Sequence, residues 1–336
     1  MIKQAIYKAL NHENLTFDEA KEVMDEIMSG NATNAQIAAF ITAIRMKGET
    51  IDEITACATI MRKYGLKLPH EGDVLDIVGT GGDEAFTFNI STISSLVISA
   101  AGIPVAKHGN RSVSSKCGSA DVLEALGVKI DIPVEKSEQL LREIGICFLF
   151  APLYHSSMKY AGPVRKEIGV RTIFNILGPL SSPANANLQL LGVYDENLVE
   201  PMARVLANLG VKRAMVVHGH DGLDEVSLSA KTTVCEVNQG QVNSFFLDPH
   251  QFGFDYCKPE ELIGGDPMQN AAIARSILSG EKGPKRDIVL LNSAICLYMS
   301  YNNITLRECV KLAAETIDKG KAMEKLQQFV RKSNEP

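Results

Sequence analysis

The chain has 336 residues, 45% of them hydrophobic and 22% charged, with a formal net charge of -6, enough apolar chain for two domains or for one large domain with an appendage. A mildly acidic protein with no basic run argues against nucleic acid as a partner, and no apolar run approaches the roughly 18 residues a membrane span requires. The seven cysteines are odd in number with no C-x-x-C pair, which argues against a disulfide framework or structural zinc; together with an opening Met1-Ile2-Lys3-Gln4-Ala5 that lacks an apolar signal core, they lead us to expect a reduced, cytoplasmic protein.

Residues 1–68 read as helices only. Ile2, Ala5, Ile6, Ala9 and Leu10 recur at helical spacing. Three capping boxes follow, Thr16 with Glu19, Thr33 with Gln36 and Thr50 with Glu53, each pairing a hydroxyl cap with a side chain that reaches back. Gly30, Gly48 and Gly65 fall where these helices should stop. After Pro69 the texture changes. Val74–Val78 is a short apolar run, followed by a helical stretch around Ser91–Ala101 and a strand candidate at Ile103–Ala106. A helix at Asp121–Leu126 and a strand at Cys147–Ala151 come next. Further strands are predicted at Leu188–Val193, Ala214–His218 and Val234–Val237, with helices at Val199–Leu209, at Met268–Leu278 and from Thr305 onward. Alternating strands and helices indicate an α/β unit with a mostly parallel central sheet covered by helices. The fold class is therefore a small N-terminal α-helical domain plus a larger α/β domain.

Gly79-Thr80-Gly81-Gly82-Asp83 follows the first strand directly. Clustered glycines let several backbone N–H groups converge, which suits phosphate, although a plain tight turn is the alternative. The run is neither a Walker loop nor a dinucleotide fingerprint. Asn89-Ile90-Ser91-Thr92 then opens a helix, whose start either is simply capped by Asn89 or attracts an anion. A third element, Lys107-His108-Gly109-Asn110-Arg111-Ser112-Val113-Ser114-Ser115 and Gly118-Ser119, offers two cations and several hydroxyls after another strand. Three anion-friendly loops at the same kind of strand end point to a ligand with more than one phosphate.

The run GTGGD, NIST and KHGNRSVSSKCGSADVLEALG, in that order and spacing, with Val164–Leu180 (VRKEIGVRTIFNILGPL) and Gly222-Leu223-Asp224-Glu225, closely resembles the anthranilate phosphoribosyltransferase family. The likeness extends over essentially the whole chain. GTGGD alone is shared with related folds, pyrimidine nucleoside phosphorylases among them. The resemblance implies a helical domain of residues 1–68 plus about 170–185, an α/β domain of 69–169 and 186–336, an active site at the hinge, and a homodimer formed through the helical domain.

It also implies roles. Gly79, Thr80, Gly82, Asp83, Thr87, Asn89, Ser91, Thr92, Lys107 and Ser119 would hold phosphoribosyl pyrophosphate. Gly79, His108, Asn110, Tyr154, His155, Met158 and Arg165 would hold anthranilate or line its path. Ser91, Asp224 and Glu225 would contact Mg2+, for which oxygen ligands are apt. His218 and His220 lie nearby, but imidazole fits magnesium poorly, so they are read as structural or as lying behind the metal's own ligands. The family's usual His-Pro-Ala-Met is here His155-Ser156-Ser157-Met158. An aromatic amine is neutral at pH 7, so no strong general base is expected, and catalysis would rest on positioning and charge stabilisation. The alternatives are a pyrimidine nucleoside phosphorylase, or a non-catalytic nucleic-acid-binding relative, against which the acidic charge and the intact Asp224-Glu225 pair weigh.

Overall fold

Four N-terminal helices form where the capping chemistry predicts them, in a computed structural model that describes residues 1–112, 116–301 and 303–336. They are α1 (Ile2–Leu10), α2 (Phe17–Met28), α3 (Asn34–Lys47) and α4 (Ile51–Tyr64). Thr16, Thr33 and Thr50 each close a complete capping box, a stabilisation of about 1 kcal/mol per helix start. Glu53 goes further. Buried in the first turn of α4, it accepts from the backbone N–H groups of Leu15 and Thr50 and pairs with Lys47 at 2.9 Å. It thereby ties the loop before α2 to the ends of α3 and α4.

The remaining chain builds one seven-stranded sheet. Its strands are β1 (Leu75–Gly79), β2 (Val105–Gly109), β3 (Ile146–Phe150), β4 (Leu188–Gly192), β5 (Arg213–Gly219), β6 (Thr232–Asn238) and β7 (Gln241–Leu247), in the order β3-β2-β1-β4-β5-β6-β7. The first five are parallel, and β6 and β7 are antiparallel. Helices α5 (Ile90–Ala100), α6 (Ser119–Leu126) and α7 (Val134–Ile144) follow β1 and β2, and short α8 (Ala151–Tyr154) and α9 (Met158–Ile168) follow β3. After α10 (Phe174–Leu180) the chain returns to β4, and α11 (Val199–Asn208) links β4 to β5. Helices α12 (Pro267–Leu278), α13 (Pro284–Ser300), α14 (Leu306–Asp318) and α15 (Lys321–Asn334) complete it. Among the described residues no helix is long and apolar enough to cross a membrane.

Two apolar cores sit on opposite faces of the sheet. One joins α5, α13 and the C-terminal helices to β1, β2 and β3. The other joins α1–α4 to α11 and to Ile173, Phe174, Ile176, Leu177 and Leu180 around α10, so residues far apart in sequence share one helical core. Most predicted boundaries hold to within one or two residues, and one strand is shifted along the chain. The strand predicted at Ile103–Ala106 begins at Val105 and runs on through Lys107 and His108. Pro104 has no N–H to give the ladder, and only its carbonyl is used, by Leu75 N–H. Strand β7 and helices α7, α8, α9, α10 and α13 appear where no element was predicted.

Candidate functional site

The sheet order sets the location. From β1 the chain steps outward through β2 to β3, then crosses back to add β4 on the other side of β1. Between β1 and β4 the direction of winding reverses, and ligands of open α/β sheets bind outside the carboxyl ends of such strands. Both strands end there in glycine. A Cβ on Gly192 would lie 1.6 Å from the Asp224 carbonyl oxygen, and one on Gly79 would lie 2.3 Å from Asp224 Oδ2. The two glycines are thus the space into which the loop after β5 lays Asp224.

The GTGGD turn wraps this carboxylate. Gly81 and Gly82 both have positive φ, 67° and 78°, and Gly81 N–H donates to Asp224 Oδ2 at 2.7 Å. Thr80 is anchored by its N–H to the Gly192 carbonyl and by its hydroxyl, which accepts from Tyr194 N–H. Asp83 accepts from Ala85 N–H. Burial, with the negative charges of Asp83 and Glu225, pushes the Asp224 carboxyl well above the usual range. Burial likewise raises Glu225 to about 7, against the pull of Lys107. Carboxylates that raise one another's pKa call for a cation. The donors are all oxygens, with the Ser91 hydroxyl bonded to Glu225, a set suited to Mg2+. No three acidic, histidine or cysteine side chains among the described residues form a closed metal cage. Substrate oxygens would have to complete the shell, as is usual for this ion.

Lys107, 3% exposed, is the buried counter-charge. Its Nζ donates to the Ile77 carbonyl at 2.6 Å and to Ser91 Oγ at 3.2 Å. The Thr92 hydroxyl is buried on the first turn of α5 with no partner among the described residues. Asn89 precedes α5 without capping it. Its amide is turned sideways to the Cys117 carbonyl and to Asn270, so the simple N-cap alternative fails. Thr87 pairs with Ile263 in an isolated bridge. The Ser119 hydroxyl donates to the Asn110 carbonyl at 3.2 Å. Arg111, expected to bring charge to the loops, is instead held by Asp121 and Glu124 of α6, because these carboxylates are its nearest partners. Val113, Ser114 and Ser115 lie outside the described residues.

A second group stands where the sheet meets α9 and α10. The His108 and His155 rings are 5.2 Å apart. Burial lowers them to about 3 and about 4, so both are neutral at pH 7. His108 Nε2 and both His155 ring nitrogens are buried, with the backbone of Gly178 facing His108 and that of Ser181 facing His155. Arg165 of α9 is half-buried, 5.2 Å from the Phe174 ring, and no carboxylate among the described residues reaches it. Met158 packs beside the helical core, while Asn110 is exposed, its Oδ1 accepting from Arg111 N–H. Tyr154 immediately precedes His155 at the end of α8. It is 1% exposed within the core on the α5 and α13 face, its hydroxyl facing Ser137.

Residues given no role in the sequence analysis also enter the site. Arg171 donates to the Gly82 carbonyl, stacks 4.4 Å from the Tyr194 ring and lies 3.8 Å from Glu84, joining the segment before α10 to the GTGGD turn. Asp76, fully buried in β1 and raised by that burial to about 7, accepts His108 N–H at 3.1 Å. A lone polar residue in an apolar strand run was the available signal for Asp76. Arg171 stood inside a quoted block but only three-dimensional proximity gives it a partner. His218 Nδ1 donates to the Val193 carbonyl at 2.8 Å within the core, in keeping with a structural part.

Residues 71–323 match the model of the α/β domain of a glycosyl transferase family, and residues 3–65 match that of its helical bundle domain. The chain is 68% identical to anthranilate phosphoribosyltransferase of Ruminiclostridium cellulolyticum, over 99% of this chain and 98% of that one. It is 64% identical to the protein of that name from Endomicrobium trichonymphae over the full length of both. The crystal structure of anthranilate phosphoribosyltransferase from Thermus thermophilus superposes with a TM-score of 0.93 at 42% identity, covering 98% of this chain and 99% of that one. The Saccharomyces cerevisiae enzyme in complex with PRPP and Mg gives 0.90 at 29% identity, covering 99% and 97%. The chain belongs to the anthranilate phosphoribosyltransferase family.

Proposed function

We propose that the chain transfers the phosphoribosyl group of phosphoribosyl pyrophosphate to the amine of anthranilate, with Mg2+, releasing pyrophosphate in a step of tryptophan biosynthesis. The observation that carries this reading is the placement of Asp224 under the glycine turn at the β1/β4 switch point, beside Glu225, Ser91 and the buried Lys107. Asp224, Glu225 and Ser91 would hold Mg2+, which when bound offsets the charge of the pyrophosphate. The turn Gly79–Asp83, the start of α5 and the Lys107 and Ser119 positions would orient the anionic substrate. Its phosphates meet backbone N–H groups and one buried ammonium, arranged before the reaction begins.

The amine nitrogen forms its bond to the anomeric carbon as the carbon–oxygen bond to pyrophosphate breaks, and the surplus amine proton is released to water. His108 and His155 are too weakly basic at pH 7 to take it. They serve as a neutral polar wall, with Met158 and Asn110, for the aromatic substrate. Arg165, a guanidinium without a carboxylate of its own, is suited to reading the anthranilate carboxylate.

We assign the helical unit to residues 1–68 with about 170–185, supported by the shared core of α1–α4 and α10. Arg171 then joins the two units across the cleft. A homodimer is proposed through the same unit, where Tyr7, Leu10 and Met46 are exposed. The test of function is loss of anthranilate fluorescence on mixing with phosphoribosyl pyrophosphate and Mg2+. Loss requiring all three components supports the reading. No loss, with phosphorolysis of uridine or thymidine instead, overturns it.

A further inference from the structure

Asn270 is a polar side chain in the first turns of α12, remote from the glycine turn in sequence and only 2% exposed. Both ends of its amide are used. Oδ1 accepts Gly265 N–H at 2.7 Å, and Nδ2 donates to Asn89 Oδ1 at 2.9 Å. Asn89 passes the connection on, its Nδ2 donating to the Cys117 carbonyl at 3.0 Å while its Oδ1 accepts from Cys117 Sγ. This relay explains why Asn89 leaves α5 without a side-chain cap. It also fixes the distance between the start of α5 and the loop that carries Ser119, two segments far apart in sequence.

The same stretch of chain braces the strained loop before α5. Glu84 and Phe86 have φ of 57° and 52°, a conformation that non-glycine residues adopt at a cost. The loop is paired with residues 262–264. Phe88 N–H donates to the Leu262 carbonyl, Gly264 N–H donates to the Phe86 carbonyl, and Thr87 bridges Ile263. Gly264 has no room for a side chain, since a Cβ would lie 2.7 Å from Phe88 Cα and 2.8 Å from Asn270 Oδ1.

We infer that Asn270 is a positioning residue for the phosphoribosyl substrate, holding through Asn89 the two anion-binding segments in register without touching the ligand. The inference rests on the transferase reading above. Its chemistry is specific to an amide, which donates at one end and accepts at the other. Aspartate has the same shape and still accepts from Gly265 N–H, but it offers a second acceptor to Asn89 Oδ1 where a donor is needed.

The test compares wild type, Asn270→Ala and Asn270→Asp in steady-state transfer, and by calorimetric titration with phosphoribosyl pyrophosphate and Mg2+. Ile277→Ala, a core truncation on the same helix, controls for stability. The expected result in both Asn270 variants is a KM and a Kd for phosphoribosyl pyrophosphate raised about tenfold or more. The anthranilate KM should stay within about twofold, and Ile277→Ala should leave the ratio of the two constants unmoved. An unchanged phosphoribosyl pyrophosphate constant in the isosteric aspartate variant overturns the inference, as does an equal rise in both KM values. Absence of transfer by the wild type would count against the functional reading, and the titration would still decide the role of Asn270.

Discussion

Replacing Gly79 by alanine places a methyl group where the Asp224 carboxylate now lies. The backbone of Gly79 is not in the left-handed region, so the main obstacle is that carboxylate, with Oδ2 at 2.3 Å and Cγ at 2.9 Å from the new Cβ and the Asp224 carbonyl oxygen behind them at 3.3 Å. Ordinary contact begins at 3.4 Å, so Asp224 must retreat by about 1 Å, a displacement that can cost on the order of 100-fold in rate. The 2.7 Å bond from Gly81 N–H to Oδ2 is lost with it, a loss of about 1.5–3 kcal/mol for a hydrogen bond to a charged group. We expect kcat/KM to fall by about 100-fold, with a raised Mg2+ requirement, measured from initial rates of anthranilate consumption over a Mg2+ series. A double-mutant cycle isolates the cause. In an Asp224→Ala background the same glycine substitution meets no carboxylate, so denaturant unfolding should show a further cost under about 0.5 kcal/mol. Wild-type activity and Mg2+ dependence in Gly79→Ala, or additive stability losses in the cycle, would refute the reasoning.

Arg165→Ala should raise the anthranilate KM at least about tenfold through loss of a charge-assisted pair, leaving the phosphoribosyl pyrophosphate KM near wild type; steady-state kinetics showing both constants unchanged would remove Arg165 from the site. Asp224→Asn combined with Glu225→Gln should keep the fold, and even relieve some buried repulsion, while turnover falls and the Mg2+ response flattens; an unaltered Mg2+ titration contradicts the assignment. His108 and His155 sit at about 3 and about 4 in the folded protein, against about 6.5 in an unfolded chain. Below pH about 6.5 the unfolded chain therefore binds protons that the native state refuses, and stability falls as pH drops toward about 4 by up to about 1.4 kcal/mol per unit per histidine. His155→Gln should reduce that slope by about one histidine's share, read by urea unfolding at pH 5 and pH 7; an unchanged slope would show that His155 is not held neutral.

Much of the fold was legible because its signals are local. The capping boxes at Thr16, Thr33 and Thr50 need only four residues each, and all three close as predicted. The apolar run ending at Gly79 marks β1 for the same reason. Elements were missed where the local signal is absent. Helix α13 is buried on nearly every side, with Ile288–Cys296 inside the core, so it shows no amphipathic period. Strand β7 is an edge strand with mostly exposed residues, and α10 contains Gly178 and Pro179, which read as helix breakers. The three anion-friendly loops were found from composition and position after strands. Their meeting point was not, because the β1/β4 switch depends on strand order. Arg171, Asp76 and Asn270 act on partners 89, 32 and 181 positions away, and no spacing rule reaches that far. The family likeness supplied residue roles that no local pattern gives, Arg165 and the Asp224-Glu225 pair among them.

The most direct test of the central claim is to identify and count the products of one reaction. Purified protein is mixed with anthranilate, phosphoribosyl pyrophosphate and Mg2+, and pyrophosphate release is measured while mass spectrometry follows anthranilate. The account predicts one pyrophosphate per anthranilate consumed, with the mass of N-(5-phosphoribosyl)anthranilate appearing in step and nothing formed when any component is omitted. Pyrophosphate released without an anthranilate adduct, or no turnover while uridine or thymidine is cleaved with inorganic phosphate, would contradict it.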